Sequence, residues 1–327
     1  MKTLTVSVAA YNVAAFLRDT LSSCAVPEVL EDLEVLIVND GSTDETVRIT
    51  EEFCSRYPGT FRLINKENGG YGTTVNTAVR EAGGRYFRLL DGDDWFDRES
   101  LVRLVKCLRT ADVDWVVTRV FREREGTGEV IPDHPAWLPC AGKEYLVKDL
   151  PDPAFFQKVG MWNITSRTQM LREYPFELPA HTLYTDQLFV LYQIPFVRSV
   201  LFLEDPLYRY RVGRDEQSVS KVSRQKHHAE AGANLVRMLD FYAVQKDRHP
   251  ENRAVLTRRL AGYYVWTLIS YLFLPPSRET KREIIRLEAL CRKQAPDVYR
   301  EVFRRKERRL TLLRLSRYLA YPLVVIR

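Results

Sequence analysis

The segment Leu90-Asp91-Gly92-Asp93-Asp94-Trp95 places three carboxylates within four residues. It follows Tyr86-Phe87-Arg88-Leu89, which reads as the end of a buried strand. Like charges crowded in this way cost free energy unless a cation answers them. Carboxylate oxygens with few other ligands suit a hard divalent ion, Mg²⁺ or Mn²⁺. Such ions keep several waters and take their remaining ligands from substrate phosphates. Gly92 would let the backbone turn tightly between the first two carboxylates. The same residues also read as an acidic turn capping a helix that starts near Asp97.

The elements around this turn decide between the two readings. Leu4–Ala9, Leu33–Val38, Phe61–Ile64, Tyr86–Leu90 and Val113–Val120 read as strands. Helices are expected over Ala14–Cys24, after the capping sequence Ser42-Thr43-Asp44-Glu45, and over Gly72–Ala82 and Asp97–Leu108. Strands alternating with helices of this length imply right-handed βαβ crossovers and a mostly parallel sheet. Ligands of such sheets bind beyond the carboxyl ends of the strands. Those ends carry Ala10-Tyr11-Asn12, Asn39-Asp40-Gly41-Ser42, the run 65–72 and Asp91-Gly92-Asp93, a set suited to a nucleotide. No Gly-x-Gly-x-x-Gly follows the first strand and no Gly-x-x-x-x-Gly-Lys-Ser/Thr occurs, which weighs against a dinucleotide dehydrogenase and a P-loop NTPase.

Further on, 121–160 reads as a hairpin and a connecting helix, and Met161–Arg172 as a strand running into a helix. Glu173–Tyr184 carries two prolines and reads as a loop before a short helix over Thr185–Gln193. Val197–Leu203 and Leu207–Val212 are expected to form a closing pair of strands. From Lys221 the pattern is helical, over roughly 221–246, 250–274, 278–294 and 297–318.

Five segments, Val6–Asn12, Glu34–Glu45, Glu67–Asn76, Tyr86–Trp95 and Tyr184–Phe189, together resemble the family 2 glycosyltransferases, an inverting group with the GT-A fold. The covered stretch is about residues 3 to 215. The resemblance implies a GT-A α/β catalytic domain over 1–215 and a basic C-terminal helical region over 216–327. It further implies a nucleotide-sugar donor held by Ala9, Tyr11 and Asn12, by Asp40, by Asn68, Gly69 and Gly70, and by Asp91 and Gly92. Tyr11 and Asp40 would contact uracil and ribose, Asp93 would be the metal ligand on the diphosphate, and Asp91 a ribose or metal contact. Asp94 would support the others from behind, and Asn76, on the helix that follows the third loop, would only pack.

Inverting transfer also needs a base for the acceptor hydroxyl. Asp186 resembles the family's base position, although Thr185-Asp186 replaces the more usual Glu-Asp. It equally reads as a helix-start carboxylate answering the macrodipole. Glu177 and Asp205 are the next candidates for the base. Ala10 stands where the family usually has proline, and the Gln-x-x-Arg-Trp motif of processive synthases is missing, so non-processive transfer is expected. Arg209, Arg211 and Arg214, near Gln217-Ser218, read either as partners of the leaving diphosphate or as strand-edge charges. His181 is an acceptor-side candidate, and His227-His228 a possible additional metal ligand.

The 327 residues allow one large α/β domain with a helical appendage, or two domains. The scattered cysteines Cys24, Cys54, Cys107, Cys140 and Cys291 form no Cys-x-x-Cys pair, which points to reduced thiols in a cytosolic protein and away from a zinc site. Met1-Lys2 runs straight into a strand, so no signal peptide is expected. Between Arg278 and Arg327 there are 15 Lys/Arg and 6 Asp/Glu, so the formal charge of +6 resides in this tail. Arg304-Arg305-Lys306, Arg308-Arg309, Arg314 and Arg317 alternate with Leu310, Leu312, Leu313 and Leu315, ahead of the apolar Tyr318–Ile326. That pattern reads as an interfacial helix on an anionic membrane surface, or as a helix packed on its own protein. Leu260–Leu274 is too short and too polar for a confident span and reads as a buried helix.

The resulting expectation is a cytoplasmic glycosyltransferase, peripheral at the inner face of the cell membrane. It would use a UDP-sugar and Mg²⁺ or Mn²⁺, with a glycan or lipid-linked acceptor and no nucleic acid. A catalytically silent sugar-nucleotide-binding or scaffold protein is the alternative. A sugar-nucleotide pyrophosphorylase would need a Gly-rich triphosphate loop, and Ala9-Ala10-Tyr11-Asn12 is not one.

Overall fold

Strand β1 (Leu4–Ala10) has a run of five buried residues and lies between two parallel neighbours, as its nearly continuous apolar sequence requires. The structure, a computed structural model, describes residues 1–132, 142–150, 153–173, 177–213, 220–304 and 307–325. The chain divides into two compact units. The first comprises Met1–Phe155, Val159–Thr182 and Phe196–Arg214; the second comprises Phe156–Lys158, Leu183–Pro195 and Asp215–Arg327. The expected division at 215/216 had placed 183–195 with the first unit, whereas these residues cluster with the C-terminal helices.

In the first unit β1 is followed by α1 (Ala14–Cys24), β2 (Leu33–Asn39), α2 (Thr46–Arg56), β3 (Phe61–Asn65), α3 (Tyr71–Glu81) and β4 (Tyr86–Asp91). Then come β5 (Trp95–Phe96), α4 (Arg98–Thr110), β6 (Trp115–Val117), β7 (Val120–Arg124), β8 (Val130–Pro132) and β9 (Glu144–Leu146). The unit closes with β10 (Ile164–Arg167), α5 (Thr168–Glu173), β11 (Ser199–Phe202) and β12 (Tyr208–Val212). The main sheet runs β3-β2-β1-β4-β10-β6-β11-β9, and a smaller one runs β5-β12-β7-β8. β1 to β4 are parallel, with Ala9 level with Asp91, Ala10 with Asn39, and Asn39 with Asn65. This register brings the four loops that were expected to hold a nucleotide to one edge of the sheet.

The helices bury the faces their spacing foretells. α1 buries Leu17, Thr20, Leu21 and Cys24, and α4 buries Leu101, Leu104, Val105 and Leu108. Asp97 caps α4 by accepting the Ser100 N–H at 3.0 Å.

Two expected strands turn out differently. The run 113–120 splits between the sheets because Thr118 and Arg119 turn their N–H groups to Asn163 and Asp205 carbonyls, each at 2.9 Å. The segments 197–203 and 207–212 do not pair with each other: β11 joins β6 and β9, and β12 joins β5 and β7.

The second unit is helical: α6 (Thr185–Gln193), α7 (Lys221–Lys226), α8 (His228–Gln245), α9 (Arg253–Leu272), α10 (Arg278–Gln294), α11 (Pro296–Arg304), α12 (Arg308–Leu315) and α13 (Tyr321–Val324). α9 buries thirteen residues, which bears out the reading of 260–274 as a buried helix. The single helix expected over 297–318 is two, because Glu307 caps a new start and Arg317 and Tyr318 take left-handed φ of 47° and 65°. No helix among the described residues is long and apolar enough to cross a membrane.

Candidate active site

The turn after β4 is suspended from three elements. The Gly92 N–H donates to the Ala9 carbonyl at 3.1 Å, and Thr20 Oγ1 on α1 donates to the Gly92 carbonyl at 3.0 Å. A Cβ on Gly92 would lie 2.7 Å from the Ala9 oxygen and 2.9 Å from Val13 Cγ2. Gly92 is therefore required by close approach to β1, not by an unusual φ. From the other side β12 supplies Tyr208, whose hydroxyl accepts the Asp91 N–H at 3.2 Å and donates to Asp94 Oδ2 at 2.8 Å. The Arg211 N–H meets Asp94 Oδ1 at 2.8 Å, and Arg211 Nε donates to the Asp93 carbonyl at 3.0 Å.

The three carboxylates consequently have different tasks. Oxygens of Asp91, Asp93 and Asp94 all lie within 4.8 Å of one another, the only such metal-capable group of three among the described residues. Asp94 is buried with both oxygens held by β12, so it anchors the turn. Burial pushes the Asp94 carboxyl well above its usual range, and the charges of Asp91 and Asp93 push the same way. Burial likewise raises the Tyr208 phenol, aided by Asp91 and Asp94. Asp91 and Asp93 are only half-buried, which leaves them as the pair able to face an incoming ion.

Asp40 has a role the sequence did not disclose. Its carboxylate, 3% exposed, accepts the N–H groups of Gly69 and Gly70 at 2.9 and 2.7 Å and pairs with Lys66 at 2.5 Å. Asn68 Nδ2 donates to the Asp40 carbonyl at 2.9 Å. Asp40 is thus the post around which the Asn68-Gly69-Gly70 loop is wound. The carboxylate is thus spent largely on shaping its own loop, with three donors on its four lone-pair sites. Gly70 has φ +80°, and a Cβ there would sit 3.2 Å from the His181 nitrogen. His181 itself is exposed, and its N–H closes the loop by donating to the Gly69 carbonyl at 2.7 Å.

Tyr11 is 53% exposed just beyond the end of β1, so its ring is presented to solvent at the edge shared by the four strand ends. Asn12, at φ 52°, spends its side chain on the Thr43 N–H at 2.8 Å, stapling the first loop to the second. Asn76 exchanges two hydrogen bonds with the Leu178 backbone, at 2.9 and 3.0 Å, and so tethers the loop that leads to His181.

An aromatic pair completes this neighbourhood. Trp162 and Tyr210 stack at 5.7 Å with an interplanar angle of 10°, and both are half-buried. Burial raises the Tyr210 phenol to about 12, with the charges of Asp94, Asp91 and Asp93 adding to it. Beneath lies Arg88, fully buried, which donates to Thr165 Oγ1 at 2.8 Å, Thr118 Oγ1 at 3.1 Å and the Trp162 carbonyl. Among the described residues it has no carboxylate partner, and burial lowers its guanidinium to about 9.

Several expected contributors are occupied elsewhere. Arg209 pairs with Asp97 at 3.2 Å and Arg211 stacks over Phe16 and Trp95, so both brace the scaffold; Arg214, Gln217 and Ser218 lie outside the described residues. His227 Nδ1 bonds Glu230 at 2.6 Å and His228 Nδ1 the Gln225 carbonyl at 2.7 Å, and neither belongs to the Asp91, Asp93 and Asp94 group. Asp205, named as a fallback base, is ion-paired with Arg103 on α4.

Asp186 belongs to the second unit, in the first turn of α6 behind Tyr184, which has φ 61°. Gln187 Nε2 donates to Asp186 Oδ2 at 2.7 Å, and Arg259 donates to Gln187 Oε1 at 2.9 Å. Burial raises the Asp186 carboxyl above its ordinary value, against the lowering pull of Gln187 and Arg259. Arg259, lowered to about 10 by burial, is itself fixed to the Phe156 and Gln157 carbonyls at 3.3 and 3.1 Å.

Known proteins resemble this chain in sequence and in fold. EpsH of Bacillus subtilis (strain 168) is 31% identical over 215 residues, covering 63% of this chain and 59% of EpsH. The chain thus spans less than two thirds of that relative. S. aureus TarS 1–349, in complex with UDP-GlcNAc, superposes with a TM-score of 0.74 at 20% identity, covering 99% of this chain and 90% of that one. The mannosyltransferase PcManGT from Pyrobaculum calidifontis, in complex with GDP-Man and Mn²⁺, gives 0.51 at 15% identity over 98% and 85%. At these identities the two structures establish the GT-A fold and nothing finer. The family model described as glycosyl transferase family 2 matches residues 5–175, more than half of the sequence, and the chain belongs to that family.

Proposed function

We propose that this chain is a metal-dependent, inverting, non-processive glycosyltransferase that moves a sugar from a UDP-sugar to a hydroxyl of a glycan or lipid-linked acceptor. The observation that carries this reading is the shared edge of β1 to β4: exposed Tyr11, the Asp40-wound glycine loop and the Asp91–Asp94 turn stand side by side there. Tyr11 offers a face for a base, and Asp40 would accept a base N–H. Asp91, Gly92 and the loop 68–70 would receive ribose and diphosphate. The carboxylate set fits a hard divalent ion held by Asp91 and Asp93. When bound, the ion would neutralise charge building on the leaving diphosphate. TarS with UDP-GlcNAc and PcManGT with Mn²⁺ support the donor and metal assignments by analogy of fold.

In the proposed reaction the acceptor oxygen bonds to the anomeric carbon as the bond to the diphosphate oxygen breaks. The nucleoside diphosphate leaves with the electron pair, and the acceptor proton passes to Asp186, whose carboxyl burial raises above the ordinary aspartate value. The stacked Trp162–Tyr210 pair, close enough to the acidic turn to feel its charges, would present an aromatic face to a sugar ring. Work on the inner face of the cell membrane, with attachment through the basic C-terminal helices, would bring the enzyme to a lipid-linked acceptor.

A panel of nucleotide sugars with Mn²⁺, assayed for released nucleotide, tests the proposal. Release from one UDP-sugar, abolished by EDTA, is expected. Binding of UDP with no release from any donor, in the presence of glycan and lipid-linked acceptors, would favour a silent binding protein instead.

A further inference from the structure

The C-terminal segment sorts its leucines in a way the sequence pattern did not reveal. Leu310 and Leu313 on α12, with Ala320, Tyr321 and Val324, are buried. Leu312, Leu315, Leu319 and Leu323 are 46–83% exposed, four of the eleven large hydrophobic residues exposed among those described. Between 308 and 325 the remaining exposed residues are Arg308, Arg309, Arg317 and Pro322. No acidic residue occurs in that stretch.

The segment is braced from behind. Glu288 on α10, itself buried, takes Arg314 at 2.6 Å, the Tyr264 hydroxyl at 2.7 Å and the Tyr318 hydroxyl. Arg314 also lies over the Tyr299 ring at 4.1 Å. Arg314 is therefore no part of a solvated basic face: it ties α12 to the bundle. The left-handed turn at Arg317 and Tyr318 is locked by the Tyr318 N–H on the Leu313 carbonyl at 2.7 Å. Folding fixes these leucines outward at the cost of exposing them. A surface of leucine and arginine, with one proline and no acidic residue, matches a bilayer whose headgroups are anionic and whose acyl layer begins just beneath.

We infer that Leu312, Leu315, Leu319 and Leu323 insert into an anionic lipid bilayer while Arg308, Arg309 and Arg317 pair with its phosphates. This deepens the membrane-facing part of the proposed function and names the residues that enter the lipid. The chemistry of the donor site is not required for it.

The full chain is tested by co-sedimentation with vesicles of phosphatidylglycerol and phosphatidylcholine, beside vesicles of phosphatidylcholine alone. Binding to the anionic vesicles is expected, weakening steeply with salt as charge screening demands. Leu315→Ser, Leu319→Ser and Leu323→Ser together should reduce partitioning at least tenfold with a nearly unchanged melting temperature, because these side chains are 76–83% exposed. Arg308→Gln, Arg309→Gln and Arg317→Gln together should remove the preference for anionic lipid and flatten the salt dependence. Three results would each overturn the inference: an intact chain that stays in the supernatant, a triple-leucine variant that binds as the parent does, or a soluble dimer that dissociates in that variant without any lipid binding. UDP affinity, measured in parallel by calorimetry, reports the donor site separately, so failure of the one reading is distinguishable from failure of the other.

Discussion

Tyr208 and Asp94, 114 residues apart, share a buried hydrogen bond of 2.8 Å, and the same hydroxyl accepts the Asp91 N–H at 3.2 Å. One phenol on β12 thus fixes both ends of the acidic turn. Tyr208→Phe keeps the ring and its packing but strands the Asp91 N–H and one oxygen of Asp94. Each buried polar group left unsatisfied costs about 1–3 kcal/mol. The variant should melt lower and bind Mn²⁺ more weakly, as read by calorimetry, with its circular dichroism otherwise unchanged. A metal affinity equal to that of the parent would show that the turn holds its shape without β12.

The part of the site carried by contiguous residues was legible in the sequence. The turn 91–94 and the four strand ends announce themselves through residue type, and the parallel register brings them to one edge. The braces were not legible, because Tyr208, Tyr210 and Arg211 reach the turn only through the pairing of β12 with β5 and β7, while Trp162 meets Tyr210 from the segment just before β10. The expectation that 197–203 pairs with 207–212 hid that route. Arg88 did carry a signal, a charge within Tyr86-Phe87-Arg88-Leu89-Leu90, which a buried strand tolerates only with hydrogen-bond partners waiting. In the tail the periodicity marked an apolar helix but could not say which leucines face inward. That depends on Glu288, another helix away.

Metal dependence should divide the acidic residues. Asp93→Ala is expected to abolish the difference in UDP affinity between Mn²⁺ and EDTA while leaving the melting temperature nearly unchanged. Its turnover should fall by several kcal/mol of transition-state stabilisation, on the order of what a Lewis-acid ion supplies. Asp94→Asn should act in the opposite manner. Its amide would oppose either the Tyr208 hydroxyl or the Arg211 N–H, so loss of stability comes first. Equal UDP affinity with and without metal in the parent protein would remove the metal from the proposal.

The aromatic pair predicts a split between KM and kcat. Tyr210→Ala or Trp162→Ala removes a flat face of stacked rings without touching Asp91, Asp93 or the Asp40 loop. If a sugar ring rests there, its KM should rise by roughly tenfold for the loss of a stacking contact worth about 1 kcal/mol or slightly more. UDP affinity should stay as it was. Kinetics in which both substrates lose affinity together would assign the pair to packing alone.

Asp186 offers the sharpest test of the chemistry because its environment sets a pH signature. Burial holds its carboxyl above the ordinary value, and the Gln187 amide and the Arg259 charge pull in the other direction. A base works only when deprotonated, so kcat should fall as pH drops through this raised pKa, giving an acidic limb above that of an ordinary aspartate. Gln187→Leu removes the donor held at 2.7 Å from Asp186 Oδ2, which takes away a force stabilising the charged form. The acidic limb should then move to higher pH, a change that a merely structural role would not produce. Asp186→Asn keeps the shape and lacks the proton-accepting oxygen, so turnover should drop roughly 10²–10⁴-fold, the span for a positioned general base. Donor binding should survive in both variants. Turnover reduced less than about threefold in Asp186→Asn, with chemistry rate-limiting, would exclude Asp186 as the base, since a positioned base contributes far more than that. Exposed Glu177 and Asp205, the latter paired with Arg103, would then be the remaining candidates from the sequence.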